Sequence, residues 1–229
     1  MKTFKILGLL LTYPNKETIS HYDELRTTLE AEKLLSDKQI KAISVFIDRH
    51  KHSDLLDLQE EYVSLFDRSR SYCLQLFEHV HGESRDRGQA MVDLAEMYAE
   101  KNLEINKAEL PDYLPLFLEY LSLCTFAEAK DLLDDMVHIV ATIGAKLKKN
   151  GSDYHIIFDS IEALADIKVD SKIIDAALAD LEKEDNSLEA LDKEWEEAEA
   201  FDGKNPQDDC NSCDAFPKAT EALKKIAGV

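Results

Sequence analysis

The sequence predicts an all-α protein, a single-domain helical bundle followed by a flexible acidic tail. Apolar residues recur at spacings of three and four along most of the first 181 residues, as they do on one face of an α-helix. The chain has only 7 Gly and 5 Pro, which is few for the many turns of a hairpin-rich fold. No convincing run shows the alternating pattern of a half-buried strand.

The N-terminal segment is predicted to be a short buried helix. Its apolar run, residues 6–11, ends just before Pro14, which cannot continue a helix. Lys2 and Lys5 precede the run, but no small-residue cleavage site follows it, so a secretory signal is not indicated. A membrane span would need about 20 apolar residues, and no stretch approaches that length. We therefore expect a cytoplasmic protein.

The helices that follow are predicted from apolar periodicity and from capping residues. Ser36 with Gln39 forms a capping box, and Gly151 is placed to end a long helix. The segment 72–80 is apolar on most sides, which indicates burial on several faces. The predicted helices cover, approximately, residues 15–35, 36–47, 55–66, 84–98, 111–121, 126–149, 154–165 and 170–183.

Charge and composition divide the chain into three parts. We expect a helical domain at 1–181, an acidic helix at 182–202 that packs on it or extends from it, and a flexible tail at 203–229. The net charge is 27 − 47 = −20, which disfavours nucleic acid as a partner and favours a basic peptide or a cationic surface. The acidity could equally serve only to keep the protein in solution.

The residue patterns of enzymes and metal proteins are weak here. No catalytic triad, phosphate loop or dinucleotide fingerprint is present, so the sequence does not predict an enzyme. Cys210 and Cys213 form a C-x-x-C without a second ligand pair at zinc-like spacing. Glu78 and His81 match the Glu-x-x-His spacing of di-iron bundles, but no second copy exists. We predict no metal site, and a small metal or redox protein that uses the two cysteines is the alternative.

The densest polar stretch, residues 78–89, begins within the end of the apolar segment 72–80 and continues beyond it. One interpretation is a loop whose acids and bases pair with one another and cap the next helix. The other is a polar rim beside an apolar groove, which is the arrangement expected for capturing an amphipathic helix. The sequence alone leaves both open.

Three segments carry a resemblance to a known family. Residues 76–94, residues 109–121 and the Glu-Tyr-x-x-Leu-Phe pattern of 61–66 closely resemble the hallmark segments of NarJ-type nitrate reductase assembly chaperones. These belong to the wider TorD/DmsD family of redox-enzyme maturation chaperones. The strong match covers about residues 61–121. One departure is Tyr113, where the wider family often has histidine, and a phenol cannot become cationic near neutral pH.

The resemblance implies a function and a partner. Such chaperones bind the N-terminal, leader-like segment of the nitrate reductase catalytic (alpha) subunit. They assist insertion of the molybdenum cofactor before membrane anchoring and bind no cofactor stably themselves. The client segment is short and basic, so an acidic helical protein is a sensible receptor for it. A helical scaffold without a cofactor-linked client is a further alternative.

The same resemblance and the polar stretch give the candidate peptide-binding residues. We expect aromatic side chains to form an apolar groove, carboxylates to receive cationic client residues, and histidines and arginines to form a polar rim. Arg85 and Arg87 could instead pair with Glu83 and Asp86, which would make them structural. The groove residues are Tyr62, Phe66 and Phe77, and the carboxylates are Glu78 and Asp112, with Tyr113 beside Asp112. The rim residues are His79, His81, Arg85 and Arg87.

Overall fold

The computed structural model describes residues 1–80, 85–106 and 109–181, with the backbone alone at positions 85 and 86. These ranges contain α-helices and no strand, which confirms the predicted all-α class. The helices are α1 (Lys2–Leu10), α2 (Lys16–Ser20), α3 (Tyr22–Glu32), α4 (Asp37–His52), α5 (Leu55–Tyr62), α6 (Arg85–Glu100), α7 (Leu114–Leu123), α8 (Phe126–Lys149), α9 (His155–Glu162) and α10 (Ser171–Leu181).

Local capping explains where several helices begin and end. The Ser36 N–H donates to Gln39 Oε1 at 2.8 Å, and the Gln39 N–H donates back to Ser36 Oγ at 3.4 Å, so the predicted capping box is confirmed. Thr125 and Glu128 form the same arrangement at the start of α8. Gly151 follows the end of α8 with φ of +78°, a left-handed conformation that glycine adopts without strain.

One predicted helix differs from the structure, and the conformation of the segment after α5 was not predicted. The span 15–35 is two helices, because the chain turns at His21 between α2 and α3. The segment 70–80 is not an α-helix: it contains two 3₁₀ turns, Arg70–Tyr72 and Leu76–His79, after a π-helical turn that continues α5. Part of its backbone bonds to residues 112–114 instead of to itself. Its predicted burial is confirmed, since Leu76 and Phe77 are both 1% exposed.

The core forms where α1 packs against α7 and where α8 packs against α9. Glycine permits close approach at both contacts. A Cβ added at Gly8 would lie 2.9 Å from the Pro115 carbonyl oxygen, and one added at Gly144 would lie 2.9 Å from Phe158 Cβ. Both glycines are therefore required for the helices to pack at their present separation.

Helix α10 lies at the edge of this core. It packs along α8, but none of its residues is buried. The acidic segment 182–202 and the tail 203–229 follow it and lie outside the described residues. Their predicted organisation therefore stays a prediction.

Two structural features are absent from residues 1–80, 85–106 and 109–181. No helix there is both long enough and apolar enough to cross a membrane. No group of three or more His, Cys, Asp or Glu side chains in those ranges is placed to hold a metal ion.

Candidate functional site

Two segments that the sequence analysis singled out meet in the structure. The Leu76 N–H donates to the Asp112 carbonyl at 3.0 Å, and the Leu114 N–H donates to the Leu74 carbonyl at 2.8 Å. An isolated antiparallel bridge joins Gln75 to Tyr113 between these bonds. The non-helical segment 70–80 is thereby fastened to the chain just before α7.

The buried side chain of Asp112 makes a further contact between the segment 70–80 and the chain before α7. It is fully buried, and Oδ2 accepts a hydrogen bond of 3.0 Å from the Phe77 N–H. Its other oxygen, Oδ1, has no hydrogen-bond partner among the described residues. Burial raises the pKa of Asp112, while the Phe77 N–H and the nearby Arg87 guanidinium act in the opposite direction. In this conformation Asp112 positions Phe77, and its predicted contact with a client cation stays a prediction.

The three aromatic side chains predicted to line a groove are packed in the core. Tyr62 and Phe66 are each 4% exposed and Phe77 is 1% exposed. The Tyr62 hydroxyl donates to the Leu11 carbonyl at 3.0 Å, and the rings of Phe66 and Tyr154 lie edge to face with centroids 5.0 Å apart. These contacts hold α5 against α1 and α9. Direct contact with a client would need the surrounding helices to separate, so that role stays a prediction.

Tyr113 lies at the boundary between this core and solvent. Its hydroxyl is 3.2 Å from the Tyr62 hydroxyl, and burial is the main reason that its pKa is raised. Tyr113 therefore remains neutral at physiological pH and can only exchange hydrogen bonds.

Glu78 and His79 reach the surface at the end of the segment 70–80. Arg87 Nη2 lies 2.5 Å from Glu78 Oε1, so α6 supplies the partner of this carboxylate. His79 Nε2 donates to the Cys73 carbonyl at 2.9 Å. The predicted pairing of Arg85 and Arg87 with Glu83 and Asp86 stays a prediction, because Glu83 and the side chain of Asp86 lie outside the described residues. His81 and the side chain of Arg85 lie outside the described part, and their roles stay predictions.

A cleft of about 340 Å³ opens beside Glu78 and His79. Its walls come from the segment 70–79, from α8 and from α10. Ser71 and Thr142 are buried at its inner side, and the charged residues include two acids and two bases. The lining residues are Arg70, Ser71, Glu78, His79, Ile139, Thr142, Lys146, Ile173, Ala176, Ala177 and Asp180.

One wall of this cleft could be predicted from the sequence, and the other two could not. Glu78 and His79 belong to the predicted polar rim, whereas the residues of α8 and α10 were assigned only to helices. One signal was available in the sequence. Ile173, Ile174, Ala177 and Leu178 recur with helical spacing and form an apolar stripe near the end of the domain. Which helix this stripe packs against depends on the fold.

The described residues form an all-α domain with an open cleft between its helices. Comparison with known proteins identifies the family. Residues 24–158 match the family model described as nitrate reductase delta subunit, and the chain belongs to this family.

Named relatives agree with that assignment. The nitrate reductase molybdenum cofactor assembly chaperone NarJ of Escherichia coli K12 is 43% identical over 84% of this chain and 81% of its own. The probable chaperone NarW of the same organism is 38% identical over 95% of this chain and 89% of its own. A crystal structure of a candidate redox enzyme maturation protein from Archaeoglobus fulgidus covers 69% of this chain and 89% of its own, at 20% identity and a TM-score of 0.47. This last similarity is too low to carry an argument.

The metal or redox alternative gains no support from these relatives, whose names describe assembly chaperones. Cys210 and Cys213, on which it depends, lie outside the described residues.

Proposed function

We propose that this protein is a dedicated chaperone for nitrate reductase maturation and not an enzyme. It binds the apo form of the catalytic (alpha) subunit in the cytoplasm, recognises that subunit's N-terminal leader-like segment, and assists insertion of the molybdenum cofactor before membrane anchoring. The cofactor is cargo for the client and is not held stably by the chaperone. Membership of the nitrate reductase delta subunit family and the names of two relatives support this proposal.

The observation that carries the binding site is the cleft beside Glu78 and His79. It is the place where predicted site residues border an open space, and Ile139 and Ile173 give it apolar walls. A peptide that binds between helices in this way gains affinity mainly by burying apolar side chains. We therefore place the apolar residues of the client segment in this cleft.

The charges around the cleft determine how salt affects binding. Glu78 and Asp180 oppose Arg70 and Lys146, so the net charge at the rim is near zero. Long-range attraction between the cleft and a basic segment is then weak. We expect the affinity for the client segment to change little between low and physiological salt.

Co-purification tests the partner. The full chain should retain the nitrate reductase catalytic subunit and should retain less of it when that subunit's N-terminal segment is deleted. Equal recovery of both forms would remove the N-terminal segment from the proposal. Failure to recover either form would contradict the client assignment.

Two charge reversals on α8 test the location. Lys146 lines the cleft, whereas Lys148 is exposed and does not. Lys146→Glu should strengthen binding of a basic client peptide by up to about fivefold and make it more sensitive to salt. Lys148→Glu is the matched control, since it makes the same charge change near the same helix end. Equal effects of both variants in calorimetric titrations would place the client elsewhere.

A further inference from the structure

Among the described residues, helix α10 packs mainly against α8. Its half-buried residues, Ile173, Ile174, Ala177, Leu178 and Leu181, recur with helical spacing along one side, and α10 packs along α8. None of its eleven residues is buried. The apolar burial that holds α10 is therefore small compared with that of the core helices.

The contact between α10 and α8 is also incompletely filled. Ala176 and Ala177 face the cleft of about 340 Å³, and their short side chains leave this space open toward Ile139 and Thr142. Thr142 is 6% exposed, and its hydroxyl has no hydrogen-bond partner among the described residues. A helix with larger side chains at the alanine positions would bury more apolar surface on the same strip.

The connection to α9 allows α10 to move while the core stays intact. Asp134 Oδ1 accepts hydrogen bonds from the Asp166 and Ile167 N–H groups, at 2.7 Å and 3.1 Å, which anchors the chain on α8. Beyond this anchor Lys168 and Asp170 are exposed and Val169 is half-buried. Displacement of α10 would thus break its contact with α8 and leave the Asp134 anchor in place.

We infer that the strip of α8 beneath α10 is the docking surface for an amphipathic helix of the client, and that α10 is an intramolecular placeholder that the client displaces. The inference rests on the proposed function, because it takes the client segment as the occupant. The strip already accepts an amphipathic helix, the helix that occupies it fills it poorly, and its connecting segment is exposed. A client helix with bulky apolar residues competes for the strip because it fills the space that the alanines leave.

Hydrogen exchange of the full chain measures the displacement directly. The probe is a synthetic peptide that covers the N-terminal segment of the nitrate reductase catalytic subunit. Saturation with this peptide should increase exchange of the α10 amides and decrease exchange of the α8 amides around Ile139 and Thr142. Unchanged or slower exchange in α10 would overturn the inference, because a helix that stays in place becomes more protected when a ligand binds beside it.

Substitutions in α10 should shift peptide affinity in opposite directions. Ala177→Leu fills the space beneath α10, favours the closed state, and should weaken peptide binding roughly tenfold. Leu178→Asp places a charge on the half-buried side of α10, disfavours the closed state, and should strengthen peptide binding. Ala179→Leu is the matched control, since Ala179 is exposed and does not line the cleft. It should leave affinity unchanged.

The outcomes separate this inference from the proposed function. If the unsubstituted chain and Leu178→Asp both fail to bind the peptide, the proposed function fails and the inference falls with it. If the unsubstituted chain binds but Ala177→Leu and Ala179→Leu behave alike, only the inference is overturned. Binding by Leu178→Asp alone would support a placeholder strong enough to block the site.

Discussion

Helices α7 and α10 are similar in length and both are rich in apolar residues, yet their surroundings differ completely. Seven residues of α7 are buried, because α1 and α8 both pack against it. Helix α10 has no buried residue and packs along α8. Apolar composition alone does not separate the two, since what differs is how many neighbours cover each helix.

This difference separates two roles within one domain. A helix covered on several sides cannot leave without exposing most of the core, so α7 opens only when the domain unfolds. A helix covered on one side can open at a much lower free energy, which is the property that exchange with a ligand requires. The core therefore fixes the fold, while the edge at α10 has the freedom that the proposed exchange with a client needs.

Truncating a leucine in each helix gives the largest contrast. Leu118 in α7 is fully buried, and Leu118→Ala should lower the free energy of unfolding by about 2–5 kcal/mol. Leu178 in α10 is half-buried, and Leu178→Ala should lower it by less than about 1 kcal/mol. Urea denaturation measures both. Similar losses would mean that α10 belongs to the same cooperative unit as α7, and the proposed exchange would then be too costly.

The next largest effect is expected from acid, which should lower the free energy of unfolding because His50 in the core becomes protonated. His50 is 1% exposed, and its ring stacks on Phe46 with centroids 3.8 Å apart. Burial lowers the pKa of His50 to about 4, an effect that the hydrogen bond to the Phe46 carbonyl opposes only in part. Arg49 also lowers this pKa, and Asp153 raises it.

The sign of the pH effect follows from these values. The unfolded chain takes up the proton near pH 6.5, before the folded chain does, so stability is complete above that pH and falls between 6.5 and 4. The loss from His50 alone reaches about 3 kcal/mol at pH 4. Urea midpoints measured from pH 7.5 to 4.5 should decline less in His50→Gln. A variant that declines as steeply as the unsubstituted chain would show that other groups control acid unfolding.

Much of the core could be predicted because it depends on local signals. Ser36 with Gln39, and the apolar periodicity of α8, specify helix starts and faces without knowledge of the fold. The segment 70–80 could not be predicted in the same way. Its 3₁₀ turns are stabilised by bonds to residues 112–114, and such non-local partners are invisible to helical periodicity.

The candidate site divides in the same manner. Glu78 and His79 stand out in the sequence as part of a dense polar stretch, and both border the cleft. The burial of Tyr62 and the pairing of Glu78 with Arg87 depend on how distant helices meet, so the sequence alone could predict neither. To predict that α10 forms a wall of the cleft, one must know the path of the chain after α9. No local sequence pattern specifies that path.

The smallest expected effect comes from replacing two glycines, and it tests how tightly α1 packs against α7. Gly8 of α1 faces α7, and an added Cβ would meet the Pro115 carbonyl at 2.9 Å and Leu118 Cβ at 3.4 Å. Because the closer atom belongs to the backbone, Gly8→Ala should push the helices apart and lower the free energy of unfolding by about 1–3 kcal/mol.

Gly88 in α6 is the matched control, since an added Cβ there would meet nothing within 4 Å. Gly88→Ala should therefore stabilise the protein by about 0.5–1 kcal/mol, the usual gain when alanine replaces glycine inside a helix. Opposite signs in thermal or urea denaturation would confirm that α1 and α7 touch at the backbone. A stabilising Gly8→Ala would mean that this contact can relax. The packing of α1 on α7 would then be less rigid than the burial of α7 indicates.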